Sequence, residues 1–212
     1  IMVNKAEKQP APVSFKKVSY IPFKCPNCGW DLPLHQFYFI HLCTTCQRAW
    51  LERGGQFRAV NFAVALAPNG AEQSLVYLPF WVCHVEIGSQ EQMLKTVADL
   101  HSFSLMFPTR VSKDTDGSPL RFFIPAMEIR NIVAANKLAT SVTNVQPTIA
   151  YVPKDRLGQC HLSGAFLPPK AAKEMVRVLL CSLTPKNNRR RQIFVENADI
   201  SINKMHLLWW PF

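Results

Sequence analysis

The sequence predicts an α+β fold, in which an N-terminal metal-binding β-hairpin module precedes a mixed, mainly antiparallel sheet with two or three packed helices. Two C-x-x-C pairs near the start of the chain have the spacing of a tetrahedral metal site. Beyond them, apolar residues alternate with period two in some segments and recur with helical period in others. We therefore divide the 212 residues into an extended basic arm over 1–22, the module over 23–57 and an α+β body domain over 58–212.

The two cysteine pairs are separated by fourteen residues, which is enough for a hairpin that brings them together. Each pair makes a tight turn, a knuckle, that presents two thiolates to one metal ion. The first knuckle reads C-P-x-C-G-aromatic, and Gly29 can take the left-handed conformation that the turn needs, whereas Gln47 stands at the equivalent place in the second. The predicted ligands of a structural Zn²⁺ are Cys25, Cys28, Cys43 and Cys46.

Three alternatives compete with structural zinc at these cysteines. A dithiol redox pair expects a single C-x-x-C at the start of a helix in a βαβ unit, and the sequence lacks that pattern. Iron remains open, because a site of four thiolates accepts either metal. Chance clustering of buried thiols is the third. His35 and His41 lie between the pairs, but four thiolates already complete a tetrahedron, so we expect both histidines off the metal.

The net charge of +10 is predicted to lie outside the metal module. Residues 1–24 carry a net +4, residues 25–56 sum to zero, and residues 57–185 and 186–212 each carry +3. The N-terminal segment also contains prolines, which predicts an extended arm. The candidate contacts for anions or nucleic acid are Lys16, Lys17, Lys186, Arg189, Arg190 and Arg191.

The predicted strands of the body are two long segments of alternating residues and a C-terminal pair. One strand begins at Phe57, and its partner runs from Leu75 to Ile87 after a turn at Asn69-Gly70. Pro79 predicts that this second strand is an edge strand or contains a bulge. Beyond the proline, the alternation places Cys83, Val85 and Ile87 inward and His84 and Glu86 outward.

The predicted helices cover Glu91 to His101, a segment opened by Pro125, and Pro169 to Leu183. The last is the clearest, because its apolar residues fall on one stripe and Thr184-Pro185 ends it. We expect a basic loop over 186–191 and then two closing strands, Gln192 to Val195 and Ile200 to Phe212.

No catalytic signature is present, and this favours a non-enzymatic role. The sequence has no phosphate-binding loop, dinucleotide fingerprint, H-E-x-x-H or G-x-S-x-G. Two Cys-His dipeptides, Cys83-His84 and Cys160-His161, could suggest a second metal site or a nucleophile pair. Neighbouring residues of a strand point to opposite faces, so neither dipeptide forms such a site alone. An enzyme would need a cleft that joins a cysteine of one to a histidine of the other.

The remaining cysteines, Cys83, Cys160 and Cys181, lie in apolar or helical surroundings, and the total of seven is odd. This distribution suits a reducing compartment better than a disulfide framework, so we expect the cytoplasm. The longest apolar stretches, over 62–68 and 207–212, are much shorter than the roughly 18 residues that span a bilayer. No signal peptide is visible. Because the chain opens with Ile1 and not with methionine, a processed product and a piece of a longer protein are both compatible with the sequence.

At the knuckles, residues 23–57 resemble the zinc-ribbon superfamily, whose C-P-x-C-G knuckle is shared with rubredoxin-like folds. The resemblance implies a zinc ribbon and its metal without a particular activity, since members occur in transcription factors, polymerase and ribosomal subunits, and helicase-associated proteins. A ribbon followed by a Tyr-Leu-Pro-Phe-Trp strand is also similar, loosely, to uncharacterised bacterial proteins with an N-terminal ribbon.

The leading hypothesis is a zinc-ribbon subunit or adaptor that docks into a larger protein assembly. Trp30, Trp50 and the strand-prone aromatic run from His35 to His41 give the ribbon more aromatic surface than a short hairpin can bury alone. This surface and the basic arm would form the docking site. The alternative is a nucleic-acid-binding protein that uses the arm and the Arg189–Arg191 loop, with strongly salt-dependent affinity.

Overall fold

The computed structural model of the chain describes residues 22–67, 75–89, 92–104 and 117–212. The predicted basic arm with Lys16 and Lys17, and the turn at Asn69-Gly70, therefore lie outside the described residues. None of the helices within the described ranges is both long enough and apolar enough to cross a membrane.

The first sheet holds three antiparallel strands that follow one another in the chain. They are β1 (Ile40–Leu42), β2 (Ala49–Arg53) and β3 (Gln56–Val60). The β2–β3 turn consists of Gly54 and Gly55, whose φ values of +59° and +82° suit the tight two-residue hairpin that they form. The aromatic run predicted as a strand is mostly a turn and a loop, and only its last residues enter β1. We refer to residues 22–60 as the cysteine module.

The second sheet has five strands in the order β4-β8-β5-β6, with β7 also paired to β5. Only β4 and β8 run parallel, so the predicted mixed, mainly antiparallel sheet is confirmed. The strands are β4 (Phe62–Val64), β5 (Tyr77–Gly88), β6 (Met93–Leu94), β7 (Arg121–Pro125) and β8 (Asp199–Pro211).

Four α-helices lie in the described ranges: α1 (Val97–Ser104), α2 (Ile132–Val145), α3 (Pro169–Leu183) and α4 (Arg189–Asn197). A 3-10 helix spans Lys154–Gln159. The α3 prediction is confirmed at both ends. The other two helix predictions began too early: Met93–Leu94 pairs with β5 as β6, and Pro125 ends β7 instead of opening a helix. α2 begins only after Asn131, whose side chain accepts hydrogen bonds from the N–H groups of Val133 and Ala134.

The end of the chain also corrects the prediction in one place. Gln192 to Val195 was expected to be a strand, but it lies within α4, and the expected basic loop over 189–191 forms the first turn of that helix. The side chain of Asn188 accepts a hydrogen bond from the N–H group of Arg191 and caps the helix. Ile193, Phe194 and Val195 are residue types that are enriched in strands, and three such residues in a row explain the error. The final strand was predicted correctly as β8.

Pro79 does not mark an edge strand, because β5 is paired on both sides. The proline lies just beyond the last β5–β7 pair, Phe80 with Pro125, and its carbonyl accepts a hydrogen bond of 2.8 Å from Ala126 N. The position of its missing N–H group therefore faces the end of β7. The β5–β7 hydrogen-bond ladder stops there, so no carbonyl of β7 needs a donor from the proline. The sheet tolerates proline in an inner strand for this reason.

A β-bulge lies further along, in β8. His84 pairs with Lys204 while the next residue, Val85, pairs with Ile202, so Asn203 is the extra residue. The bulge resets the alternation of β8. Ile200 and Ile202 before it then face the same core as Met205, Leu207 and Trp209 after it.

Both faces of the second sheet are covered, but unequally. On one face, Cys83, Val85 and Ile87 join the large core with α1, α3 and α4, as predicted. On the other face, a smaller cluster that includes Phe80 and Val82 packs against α2. His84 and Glu86 continue this second face beyond that cluster and stay half-buried.

The cysteine module joins the body through a backbone bridge. Ile40 and Ala165 exchange two hydrogen bonds of 3.1 Å, and Phe39 N donates to the same Ala165 carbonyl at 2.9 Å. Beside this bridge, the ring of Phe166 packs edge-on against Tyr38, with ring centroids 4.8 Å apart. Ile40 is fully buried in the body's own core, so the two sheets are packed as one structure.

We expect the Gly164→Ala substitution to destabilise the fold by about 1–3 kcal/mol, because it overpacks this bridge. An added methyl group would stand 2.6 Å from the Ile40 carbonyl oxygen and would also meet the ring of Tyr38. Gly117→Ala is the matched control, since nothing lies within 4 Å of its Cβ position. Urea unfolding measures both variants. Equal stability of the two would show that the bridge does not constrain the module.

Candidate metal centre

The four predicted cysteine ligands come together in the structure. Cys25 Sγ lies 3.5 Å from Cys46 Sγ, and Cys28 Sγ lies 3.6 Å from Cys43 Sγ. All four sulfur atoms lie within 4.8 Å of one another. A tetrahedron with metal–sulfur bonds of about 2.3 Å has edges of about 3.8 Å, so this arrangement fits one metal ion with four thiolate ligands.

The two knuckles repeat the same backbone pattern. In the first, Cys25 N donates to Trp30 O at 2.7 Å and Gly29 N donates to Cys25 O at 2.8 Å. In the second, Cys43 N donates to Arg48 O at 2.9 Å, and the N–H group of the residue after the last cysteine donates to Cys43 O at 2.9 Å. The knuckles differ in sequence, yet each closes the turn that presents its two sulfur atoms.

In the second knuckle, Gln47 takes the backbone conformation that glycine takes in the first. Gly29 has a φ of +74°, and Gln47 has a φ of +55°, so both take the left-handed conformation at the same position of the turn. For a residue with a Cβ atom this conformation costs about 1–2 kcal/mol. The geometry of the second knuckle is therefore maintained against local strain.

The ionisation of Cys25 and that of Cys28 are affected in opposite directions by their surroundings. Burial opposes the ionisation of Cys25, but the N–H groups of Cys28 and Asn27 outweigh it, and the pKa of this thiol is lowered to about 6. The N–H group of Trp30 favours the Cys28 thiolate, but desolvation and the nearby thiols, Cys43 first, raise the pKa of Cys28 to about 12. Four thiolates can coexist here only if a cation offsets their charge.

Apolar residues support the knuckles from within the module. Cys25 and Cys43 are buried together with Leu32 and Trp50 in a small core of their own. The buried ring of His41 packs edge-on against Phe23, with centroids 4.6 Å apart, and its Nδ1 lies 3.2 Å from Pro33 O. Burial lowers the pKa of His41, so this histidine is a neutral packing residue outside the sulfur cluster, as expected.

The predicted contact residues that the structure describes, Lys186 and Arg189 to Arg191, do not join the sulfur cluster. Arg189, Arg190 and Arg191 line a cleft of about 1480 Å³ between α4 and the end of the second sheet. Arg191 also donates to Ser102 O at 3.1 Å, near the C-terminus of α1. Lys186 precedes α4, and its carbonyl oxygen accepts a hydrogen bond from the side chain of Gln192. The predicted anion contacts of these residues stay a prediction.

The residues of the Cys83-His84 dipeptide lie on opposite faces of the second sheet, as expected for neighbours in a strand. Cys83 is fully buried in the large core, and desolvation raises the pKa of its thiol to about 12, so it is a poor nucleophile. His84 points to the opposite face of the sheet, where its ring neighbours that of His206 at 5.9 Å. The sequence analysis did not predict that His84 and His206 are neighbours, because only the β5–β8 register brings the two histidines together.

We expect Gln47→Gly to stabilise the protein by about 0.5 kcal/mol, since relief of the left-handed strain exceeds the entropy cost of glycine. Gln146→Gly is the control: Gln146 has a φ of +47°, but its side chain bonds the backbone of Arg121 and Thr143. Its loss leaves buried groups unpaired and should destabilise by about 2 kcal/mol. Urea unfolding of both variants gives the sign of each change in the free energy of unfolding. If Gln47→Gly destabilised the protein, the second knuckle would not be strained.

Metal removal should unfold the cysteine module and leave the second sheet intact. We expect one metal ion per wild-type chain, and Cys46→Ser should lose it together with the amide NMR signals of β1–β3. Cys181→Ser, which removes an exposed thiol of α3, should keep both. Elemental analysis and amide spectra are the measurements. A full metal complement in Cys46→Ser would exclude the four-sulfur site.

Comparison of the chain with protein-family models, curated proteins and solved structures finds no match in any of the three. The site must therefore be interpreted from its own residues. These establish a cluster of four cysteines that fits a metal ion, and no finer identity. A four-sulfur site leaves no open position for water or substrate, so the metal would supply a fixed cross-link between the knuckles.

Proposed function

We propose that the chain is a non-enzymatic zinc-ribbon adaptor, which docks through the loop between its knuckles onto an apolar surface of a larger protein assembly. One observation carries the proposal: this loop exposes large apolar side chains. Trp30 is 63% exposed, Leu34 77%, Phe37 58% and Phe39 44%. Free monomers rarely leave several such side chains in water within one short segment.

The loop is held at both ends, which suits a preformed docking surface. At its start, the buried Leu32 donates a backbone hydrogen bond of 2.9 Å to Phe23 O beside the sulfur cluster. At its end, Phe39 N bonds the Ala165 carbonyl of the body. A loop that is fixed before binding loses little conformational entropy on docking, so its exposed side chains contribute more of their burial energy.

Charge favours an apolar partner surface for the loop. Residues 25–56 have no net charge, so docking by the loop should depend little on salt. The basic arm over 1–22 would add a salt-dependent contact with an acidic region of the same assembly. The two contributions can therefore be separated by ionic strength.

Zinc is the metal that we assign to the site, with a structural role. Four thiolates in a closed tetrahedron are the ligand set of structural zinc sites, and a docking module needs no redox chemistry. None of the seven cysteines is in a disulfide. This supports the assignment of the chain to a reducing compartment, the cytoplasm.

A second candidate function is nucleic-acid binding by α4. Three arginines occupy its first turn and line one cleft, and that turn contains no acidic residue. Backbone N–H groups and arginines at a helix N-terminus favour phosphates. Such binding would be sequence-independent and would weaken steeply with salt.

Affinity capture from cells with the tagged full chain tests both functions. We expect defined protein partners that stay bound at both low and high salt and are lost from a Trp30→Ser/Phe37→Ser variant, because the variant removes the apolar contact. Val178→Ser is the control, since Val178 is 49% exposed on α3, away from the loop. Partners that survive the double substitution would contradict docking by the loop. Captured nucleic acid that is lost at high salt and from Arg189→Gln/Arg190→Gln would favour the second candidate.

A further inference from the structure

Four basic side chains share the second face of the five-stranded sheet, next to the bulge in β8. His84 of β5 lies directly opposite Arg121 of β7 on one side and Lys204 of β8 on the other. His206 follows two residues after Lys204 on the same face, and its ring centroid lies 5.9 Å from that of His84. We call these residues, His84, Arg121, Lys204 and His206, the basic patch.

Carboxylates do not offset the charge of this patch. Among the described residues, no aspartate or glutamate forms an ion pair with any of its four members. Glu86 lies two residues along β5, but its carboxylate is engaged by Lys95 Nζ at 3.0 Å and by Asn203 Nδ2 at 2.9 Å. Within the described part of the chain, the patch therefore concentrates positive charge without an ion-pair partner of opposite sign.

The patch is built and held, unlike a chance group of surface lysines. Arg121 Nη2 donates to the carbonyl oxygens of Gln146 at 3.3 Å and Pro147 at 2.9 Å, at the C-terminus of α2. The guanidinium also lies over the ring of Phe123, 5.5 Å from its centroid. His206 Nδ1 is buried and has no hydrogen-bond partner within the described residues. The guanidinium of Arg121 is thus fixed in place, and His206 retains a ring nitrogen whose hydrogen bond is not made by the described residues.

Arg121 and Lys204 place two permanent positive charges on either side of His84. An anion over the patch would offset this charge and accept hydrogen bonds from the side chains around it. We propose that the basic patch binds a single tetrahedral oxyanion, the phosphate group of a small molecule.

The spacing of the strands favours one phosphate group over other ligands. Residues directly opposite on adjacent strands lie about 4.5–5.5 Å apart, so Arg121 and Lys204 flank His84 closely from both sides. A tetrahedral oxyanion above His84 can accept hydrogen bonds from all three, whereas a carboxylate offers only two oxygens. A metal cation would be repelled by the permanent charges of Arg121 and Lys204.

Binding should be linked to protonation of the two histidines. Burial, followed by the nearby positive charges, lowers the pKa of His84 and lowers that of His206 to about 4. Both rings are therefore neutral at pH 7, and a bound dianion favours their charged forms, so affinity should rise as the pH falls. Without the anion, the lowered pKa values mean that stability is lost as the pH falls below about 6.5. The charged and titratable groups around the rings are Arg121, Lys204, Glu86 and Lys95, with Tyr151 next to Arg121.

Calorimetric titration of the full chain with sodium sulfate tests the proposal, because sulfate keeps its charge between pH 5 and pH 8. Sodium chloride at equal ionic strength is the control for screening. We expect saturable binding of one sulfate, about tenfold tighter at pH 5.5 than at pH 7.5. Inorganic phosphate and a small phosphate monoester should compete with sulfate for the same site.

Three single substitutions locate the binding. Lys204→Gln should weaken sulfate binding about tenfold, and His84→Gln should flatten its pH dependence. Lys137→Gln, which removes an exposed charge from α2, should change affinity less than about twofold. The proposal would be overturned if sulfate and chloride gave the same heat of titration. It would also be overturned if Lys204→Gln changed the sulfate affinity no more than Lys137→Gln does. Binding of an oligonucleotide that needs Lys204, without binding of sulfate or phosphate, would overturn the small-molecule assignment.

Discussion

The long antiparallel pair of β5 and β8 is the constraint on which the rest of the structure depends. Its register runs from Tyr77 opposite Pro211 to Gly88 opposite Asp199, so it spans the full length of the body. β5 carries β6 and β7 on its outer side, and β8 carries β4. Because β4 follows β3 after a single residue, the same pair also fixes where the cysteine module leaves the body. A slip of one residue would exchange the two faces of the sheet and place His84 in the apolar core.

The bulge in β8 makes this register compatible with the sequence. Without the extra residue Asn203, either Ile200 and Ile202 or Leu207 and Trp209 would have to leave the large core for the opposite face of the sheet. With it, both groups enter one core, and the register also places Lys204 opposite His84. Bulges recur beside functional sites because they re-aim side chains. Here the feature that completes the core also gathers positive charge on the other face, so the basic patch follows from core packing and needs no separate element.

Local patterns predicted the parts of the fold that local physics decides. The prediction of α3 was correct because its apolar stripe lies within the segment and the proline that stops it follows directly. The prediction of the cysteine cluster was correct because ligand spacing is a local property. The error at Pro79 has a tertiary cause, because the proline lies in an inner strand where β7 ends opposite it. The error at residues 192–195 has a local cause, because the cap at Asn188 begins a helix that the strand-prone residues concealed. The pairing of His84 with His206 depends on residues 122 positions apart, which no spacing rule reaches.

The knuckles and the body hold different ends of the exposed loop, so a metal bound at the knuckles would act directly on the start of the loop only. The knuckles close the start of the loop, near Trp30, whereas Ala165 holds its end at Phe39 and Ile40. Loss of a metal would release the start of the loop directly. It would also release the end, because Ile40 of the bridge belongs to β1, which should unfold with the rest of the cysteine module. The left-handed strain at Gln47 also weakens the second knuckle, and so adds to the need for a restraint there. This knuckle lies beside the 3-10 helix, where Gly158 leaves room for the side chain of Gln47. A metal cation would then be the strongest single restraint on the loop, because it would bind all four sulfur atoms and cross-link the two knuckles.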